Sequence, residues 1–130
     1  MSDDVLFDSG RASINENGKT VLQQLAAVLK DLDDREFLVA GHTDDVPISS
    51  ARFQDNWELS TARSTNVVRY LAEEGVSPET LAAAGYSKYD PIASNKSKKG
   101  RAKNRRIEII LMPKLEELPE LPSDVVQGSQ

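Results

Sequence analysis

Apolar residues recur along this chain in two rhythms that predict most of its elements. Leu22, Leu25, Leu29 and Leu32 repeat at three- and four-residue spacing, with Val21, Ala26 and Val28 widening the stripe. That period predicts an amphipathic helix over about residues 16–33. Ser13 and Glu16 have the spacing of a capping box at its start, or a residue or two before it, and Asp33-Asp34 end it. Glu36 to Gly41 is apolar on both faces and short, as in an interior strand. A second helix is predicted from about Asn56 to Glu74, capped by Asp55 or Asn56, with Glu58 at its positive end and Gly75 just past its last turn. Val5-Leu6-Phe7, Leu81 to Gly85 and Ile107 to Leu111 are β-favouring runs, the last ended by Pro113. Residues 45–55, with Pro47 and two serines, form a loop. Ser77-Pro78-Glu79 starts one further helical turn, and Asp90 to Lys103 is a loop or an exposed helical turn. The order predicts an α+β two-layer sandwich, βαβαββ, with a mixed four-stranded sheet and helices on one face.

At 130 residues the chain has the length of one domain, assigned to residues 1–113. Residues 114–130, acidic and containing Pro119 and Pro122, read as a tail with little fixed structure. No window approaches the roughly 20 apolar residues of a membrane span. Met1-Ser2-Asp3-Asp4 lacks the basic and apolar regions of a secretory signal. The chain is therefore either cytosolic or a piece of a longer exported protein, begun at an introduced methionine. With no cysteine, disulfides, thiolate metal sites and cysteine nucleophiles are excluded. The net charge of −5 conceals a basic stretch, Lys88 to Arg106, with eight Lys or Arg against one acid. An acidic remainder repels nucleic acid at long range, yet the basic stretch can dock an acidic protein or polymer.

The candidate chemistry centres on Asp44, just past the apolar strand, and Arg63 on the second helix. Asn56, Ser60 and Arg63 share one face of that helix near its N-terminus, where backbone N–H groups and the dipole favour an anion. A guanidinium fork suits a carboxylate and an aspartate suits an ammonium, so the two make a receptor for a zwitterion. Equally, Asp44 and Arg63 can simply pair with each other. His42 is the only histidine; it reads as structural, the rival being a hydrolase that uses His42, Asp44 and a serine. No serine lies in a Gly-x-Ser-x-Gly turn, and one histidine without partners does not make a metal site. Trp57 reads as a packing residue rather than a sugar-stacking platform. At the entry to the last strand, alternation sends Arg105 and Arg106 to opposite sides, so one can face Asp44 and Arg63.

Gly41-His42-Thr43-Asp44, Asn56-x-x-Leu59-Ser60-x-x-Arg63, Gly85-Tyr86 with Asp90-Pro91, and Asn95 with Gly100-Arg101-Ala102-x-Asn104-Arg105-Arg106-Ile107-Glu108 form an ordered set. This set resembles the OmpA-like peptidoglycan-binding domain family, whose branches include outer-membrane protein A, the peptidoglycan-associated lipoprotein and the flagellar stator protein MotB. The resemblance runs from about Val5 to Pro113, and the long loop between Asp44 and Asn56 is similar to that of the MotB branch. It implies a βαβαββ fold and non-catalytic, cofactor-free binding of peptidoglycan in the periplasm. Asp44 and Arg63 would grip the diaminopimelate of the stem peptide, with Asn56 and Arg105 beside it and Thr43, Leu59 and Ser60 in support. It also implies that any membrane attachment belongs to other parts of a parent protein.

Overall fold

The computed structural model describes residues 1–32 and 34–113, so the tail from residue 114 lies outside the described residues. The elements are α1 (Asp3–Leu6), α2 (Glu16–Lys30), β1 (Phe37–His42), α3 (Asn56–Glu73), β2 (Leu81–Gly85), α4 (Lys98–Asn104) and β3 (Arg106–Leu111), with a 3-10 turn at Pro78–Thr80. β1 is central, parallel to β2 and antiparallel to β3, giving a mixed sheet of order β2-β1-β3. The α+β class and the helix–sheet layering follow the sequence expectation.

The four-stranded expectation is corrected: among the described residues the sheet has three strands. Val5-Leu6-Phe7 does not form a strand. Asp3–Leu6 instead make a single helical turn between two isolated bridges, Ser2 with Arg106 and Phe7 with Ile14. The turn puts Leu6 and Phe7 into the core together, at 0% and 2% exposure. A strand would send neighbouring side chains to opposite faces. Tertiary burial therefore overrides local β preference. At α2 the cap is Asn15, which accepts from the Gly18 N–H at 2.7 Å, and the helix ends at Lys30, short of the expected 33.

Leu22, Ala26 and Leu29 of α2, Val67 and Leu71 of α3, and Phe37, Val39 and Ile107 of the sheet form one core with Leu6 and Phe7. Each large apolar side chain buried there contributes roughly 1.5–3 kcal/mol. The sheet face carrying Phe37, Val39 and Gly41 meets the helices. Its opposite face carries His42 and, in register, Arg106 and Glu108. Contact between α3 and the sheet is unusually close. A Cβ on Gly41 would lie 2.5 Å from the Ser60 carbonyl oxygen. The Ser64 hydroxyl donates to the Ala84 carbonyl at 2.8 Å, and the Ser60 hydroxyl accepts from the Ser87 N–H at 3.1 Å. These bonds fix the helix bearing Arg63 against β2 and the residues after it, and β2 pairs with β1, the strand that leads to Asp44.

Candidate functional site

Asp44, two residues beyond β1, and Arg63, two turns into α3, line one cavity of about 610 Å³. Thr43, Asn56, Leu59 and Arg105 line it too, together with Asp3. Asp44 and Arg63 are 7% and 4% exposed, so solvent screens their charges weakly. Among the described residues no ion pair joins them directly. The second arrangement left open by the sequence, closure of one upon the other, is not the one observed.

Each ion has a different partner. One Nη of Arg63 donates to an Asp3 carboxylate oxygen at 2.9 Å, and its Nε donates to the Arg11 carbonyl at 2.8 Å. Its guanidinium lies 4.7 Å above the centre of the Phe7 ring. Arg105 donates to Asp44 at 2.7 Å and reaches the other Asp3 oxygen at 3.5 Å. The site is thus an alternating row: Asp44, Arg105, Asp3, Arg63. Burial lowers the Arg63 pKa, opposed by the charge and hydrogen bond of Asp3. For Arg105 the hydrogen bond to Asp44 dominates and the pKa rises. Asp44 also accepts from the Val46 N–H at 3.1 Å, which turns the following loop over the cavity.

The supporting residues divide. Asn56 donates to the Val46 carbonyl at 3.0 Å and so ties that loop to α3. Thr43 and Leu59 are buried walls. Ser60 is 1% exposed and bonded to Trp57 and Ser87, so it braces α3 and does not face the cavity lining. The open helix N-terminus expected as an anion site is already capped. Asp55 accepts from the Glu58 N–H at 3.0 Å, and Glu58 accepts from the Gln54 N–H at 2.7 Å. The guanidinium groups at the cavity are those of Arg63, Arg101 and Arg105.

His42 belongs to another cluster, on the sheet face away from the helices. It stacks on Tyr86, ring centres 5.0 Å apart, and its Nε2 lies 2.9 Å from Glu108. That close approach lacks hydrogen-bond alignment. Burial and then the Arg106 charge lower its pKa, outweighing the pull of Glu108. Burial thus disfavours the charged form of His42, and Asp44 is engaged with Arg105, so the two residues named for the hydrolase alternative do not pair with each other among the described residues. Arg106 donates to the carbonyls of Asn104 and Asp90, while Arg105 turns to the cavity, as strand alternation requires. Lys98 and Arg101 line the cavity as well, which with Arg105 brings three cations of the basic stretch to this site. Trp57 is the second correction: it is 48% exposed, stacked 5.3 Å from the exposed Tyr89, and not a core residue.

Sequence reasoning missed two residues. Asp3 carries no sequence signal of its own beyond the apolar pair Leu6-Phe7 that follows it, whose burial holds it in place. Asn104 is 0% exposed. Its side chain accepts from the N–H groups of Ile92 and Ala93 and donates to Ala93 and Asn95, pinning the loop before α4.

Comparison with known proteins gives consistent results. The OmpA family matches residues 6–105. Motility protein B of Bacillus subtilis is 36% identical over 115 residues, covering 88% of this chain and 44% of that protein. The solved cell wall anchor of the T6SS from Pseudomonas aeruginosa superposes with a TM-score of 0.81 at 35% identity, over 88% of this chain and 79% of its own. The periplasmic domain of Helicobacter pylori MotB gives 0.79 at 31% identity, over 85% and 72% of the two chains. The chain spans about half the length of the curated relatives it matches.

Proposed function

This chain belongs to the OmpA family, and from the cavity shared by Asp44 and Arg63 we propose that it binds peptidoglycan by the free end of a stem-peptide diaminopimelate. It is a binding domain and not an enzyme, and its place of action is the periplasm, as for the MotB domains it resembles. The role is anchorage: the domain fastens a longer protein to the cell wall, as the similar Pseudomonas aeruginosa protein is named for doing.

The observation that supports this reading is a pair of nearly buried opposite charges facing one cavity without neutralising each other. The far carbon of diaminopimelate carries an ammonium and a carboxylate. The ammonium pairs with Asp44 and the carboxylate with Arg63 and Arg105. Asn56, through its hold on the loop at Val46, keeps the wall of the cavity in place. Because these charges are already paired internally, binding exchanges ion pairs and does not create them from solvated groups. Net gain per charge-assisted bond is then at or below the usual 1.5–3 kcal/mol. Single-site affinity is modest, and tight attachment comes from several domains acting on one polymer.

Sedimentation with purified sacculi tests the site. The wild-type domain pellets with the wall, and Asp44→Asn and Arg63→Ala remain in the supernatant while keeping a cooperative melt. Equal pelleting of both variants and wild type would remove the cavity from the account.

A further inference from the structure

We propose that Asp3 sets the charge selectivity of this cavity, so that it admits a ligand end carrying an ammonium and a carboxylate together and rejects either charge alone. The inference rests on the cavity being the peptide site, and it adds a residue outside the stretch that matches the family, residues 6–105.

Asp3 is 8% exposed, and it divides its two oxygens between the site's two guanidinium groups, Arg63 at 2.9 Å and Arg105 at 3.5 Å. Arg105 in turn reaches Asp44 at 2.7 Å. Two carboxylates and two guanidinium groups therefore alternate and sum to zero. The position of Asp3 is built into the fold. Its N–H donates to the Arg105 carbonyl at 3.0 Å, Ser2 bridges to Arg106, and Met1 exchanges hydrogen bonds with Ile107. On its other side Leu6 and Phe7 are held in the core. Asp4, Lys98 and Arg101 also line the cavity, but Asp4 and Lys98 are exposed and screened, and half-buried Arg101 donates to the Asn95 carbonyl at 2.9 Å, outside the alternating set.

A carboxylate entering alone has to share Arg63 and Arg105 with Asp3, and leaves the enclosed set with an uncompensated negative charge. An ammonium entering alone shares Asp44 with Arg105 and leaves an uncompensated positive one. Unpaired charges in a weakly solvated site are costly. A zwitterion brings both and preserves neutrality. Removing the charge of Asp3 makes the set positive, which favours lone anions and disfavours lone cations. General loosening of the fold would weaken all ligands alike, so the sign of the change identifies this role.

The test uses the whole chain and three tripeptides, L-alanyl-γ-D-glutamyl-X, measured by isothermal titration. X is meso-diaminopimelate, lysine (no far carboxylate) or 2-aminopimelate (no far ammonium). Wild type binds the diaminopimelate peptide most tightly. In Asp3→Asn the 2-aminopimelate peptide gains about tenfold and the lysine peptide loses about tenfold, the scale of one charge-assisted bond. Equal weakening of all three, or no change, overturns the proposal. Should Asp3→Asn lack a cooperative melt, Arg105→Gln, on a half-exposed side chain, carries the test. It makes the set negative, so the lysine peptide gains and the 2-aminopimelate peptide loses, and absence of that mirror-image change overturns the charge-balance argument. Failure of wild type to bind any of the three would instead refute the peptide-site reading itself, before a variant is made.

Discussion

Gly41→Ala joins the fold to the site most tightly. The added methyl carbon would stand 2.5 Å from the Ser60 carbonyl oxygen and 2.6 Å from the Ser64 hydroxyl. A carbon–oxygen contact settles near 3.3 Å, so α3 has to withdraw by about 0.8 Å at this point. The Ser64 hydroxyl can rotate away, but only by giving up its bond to the Ala84 carbonyl at 2.8 Å. The Ser60 carbonyl is helix backbone and cannot. Overpacking of this kind costs about 1–3 kcal/mol, and the lost hydrogen bond adds about 1 kcal/mol. For a domain of this size the sum lowers Tm by about 10 °C or more. The same withdrawal moves Arg63, one turn beyond Ser60, away from Asp44, which follows β1. Sacculus binding measured well below both melting temperatures is expected to fall about tenfold. Thermal melts followed by circular dichroism, with co-sedimentation alongside, check both parts. A variant melting within about 2 °C of wild type would refute the argument, because the overpacking on which it rests costs more than that.

Two further outcomes follow from other parts of the molecule. His42 is the only histidine, so its imidazole resonances can be titrated without ambiguity. Its pKa in the fold lies below the ordinary 6.5. The unfolded chain therefore takes up a proton before the native one does, and stability declines as pH falls through about 6.5 toward the native value. A His42 midpoint at or above 6.5 would contradict its description as a ring whose charged form burial disfavours. Asn104→Ala leaves the N–H groups of Ile92 and Ala93 without their acceptor, at a cost of about 3 kcal/mol or more. Urea unfolding should show the drop, and a midpoint equal to wild type would mean that this amide does not hold the loop.

Asp44 and Arg63 could be read from the sequence because each is fixed by its own element. One follows an apolar strand, the other sits at a set position on a helix with a clear cap. Arg105 and Arg106 could be assigned to opposite sides by strand alternation alone. Asp3 could not be read in this way. Its partner Arg63 is 60 residues distant, and its placement depends on Leu6 and Phe7 being buried together in one helical turn. The missing fourth strand has the same origin: local β preference lost to the requirement that both apolar side chains reach one core. Trp57 was misjudged because large aromatic residues are usually packed, and only the fold shows that its position on α3 faces Tyr89 and solvent. The capped start of α3 was legible in Asp55, but capping and anion binding compete for the same N–H groups, and the capping residue wins.

The central claim is that a zwitterionic peptide end enters the cavity bounded by Asp44 and Arg63. Titrating the isotope-labelled domain with the L-alanyl-γ-D-glutamyl-diaminopimelate peptide and following backbone amide and arginine side-chain resonances tests it most directly. The account predicts saturable shifts at Gly10, Val46, Ile48, Leu59 and the side chains of Arg63 and Arg105, with His42 and Glu108 little changed. Shifts confined to the His42 and Tyr86 face, or none at saturating peptide, would contradict it.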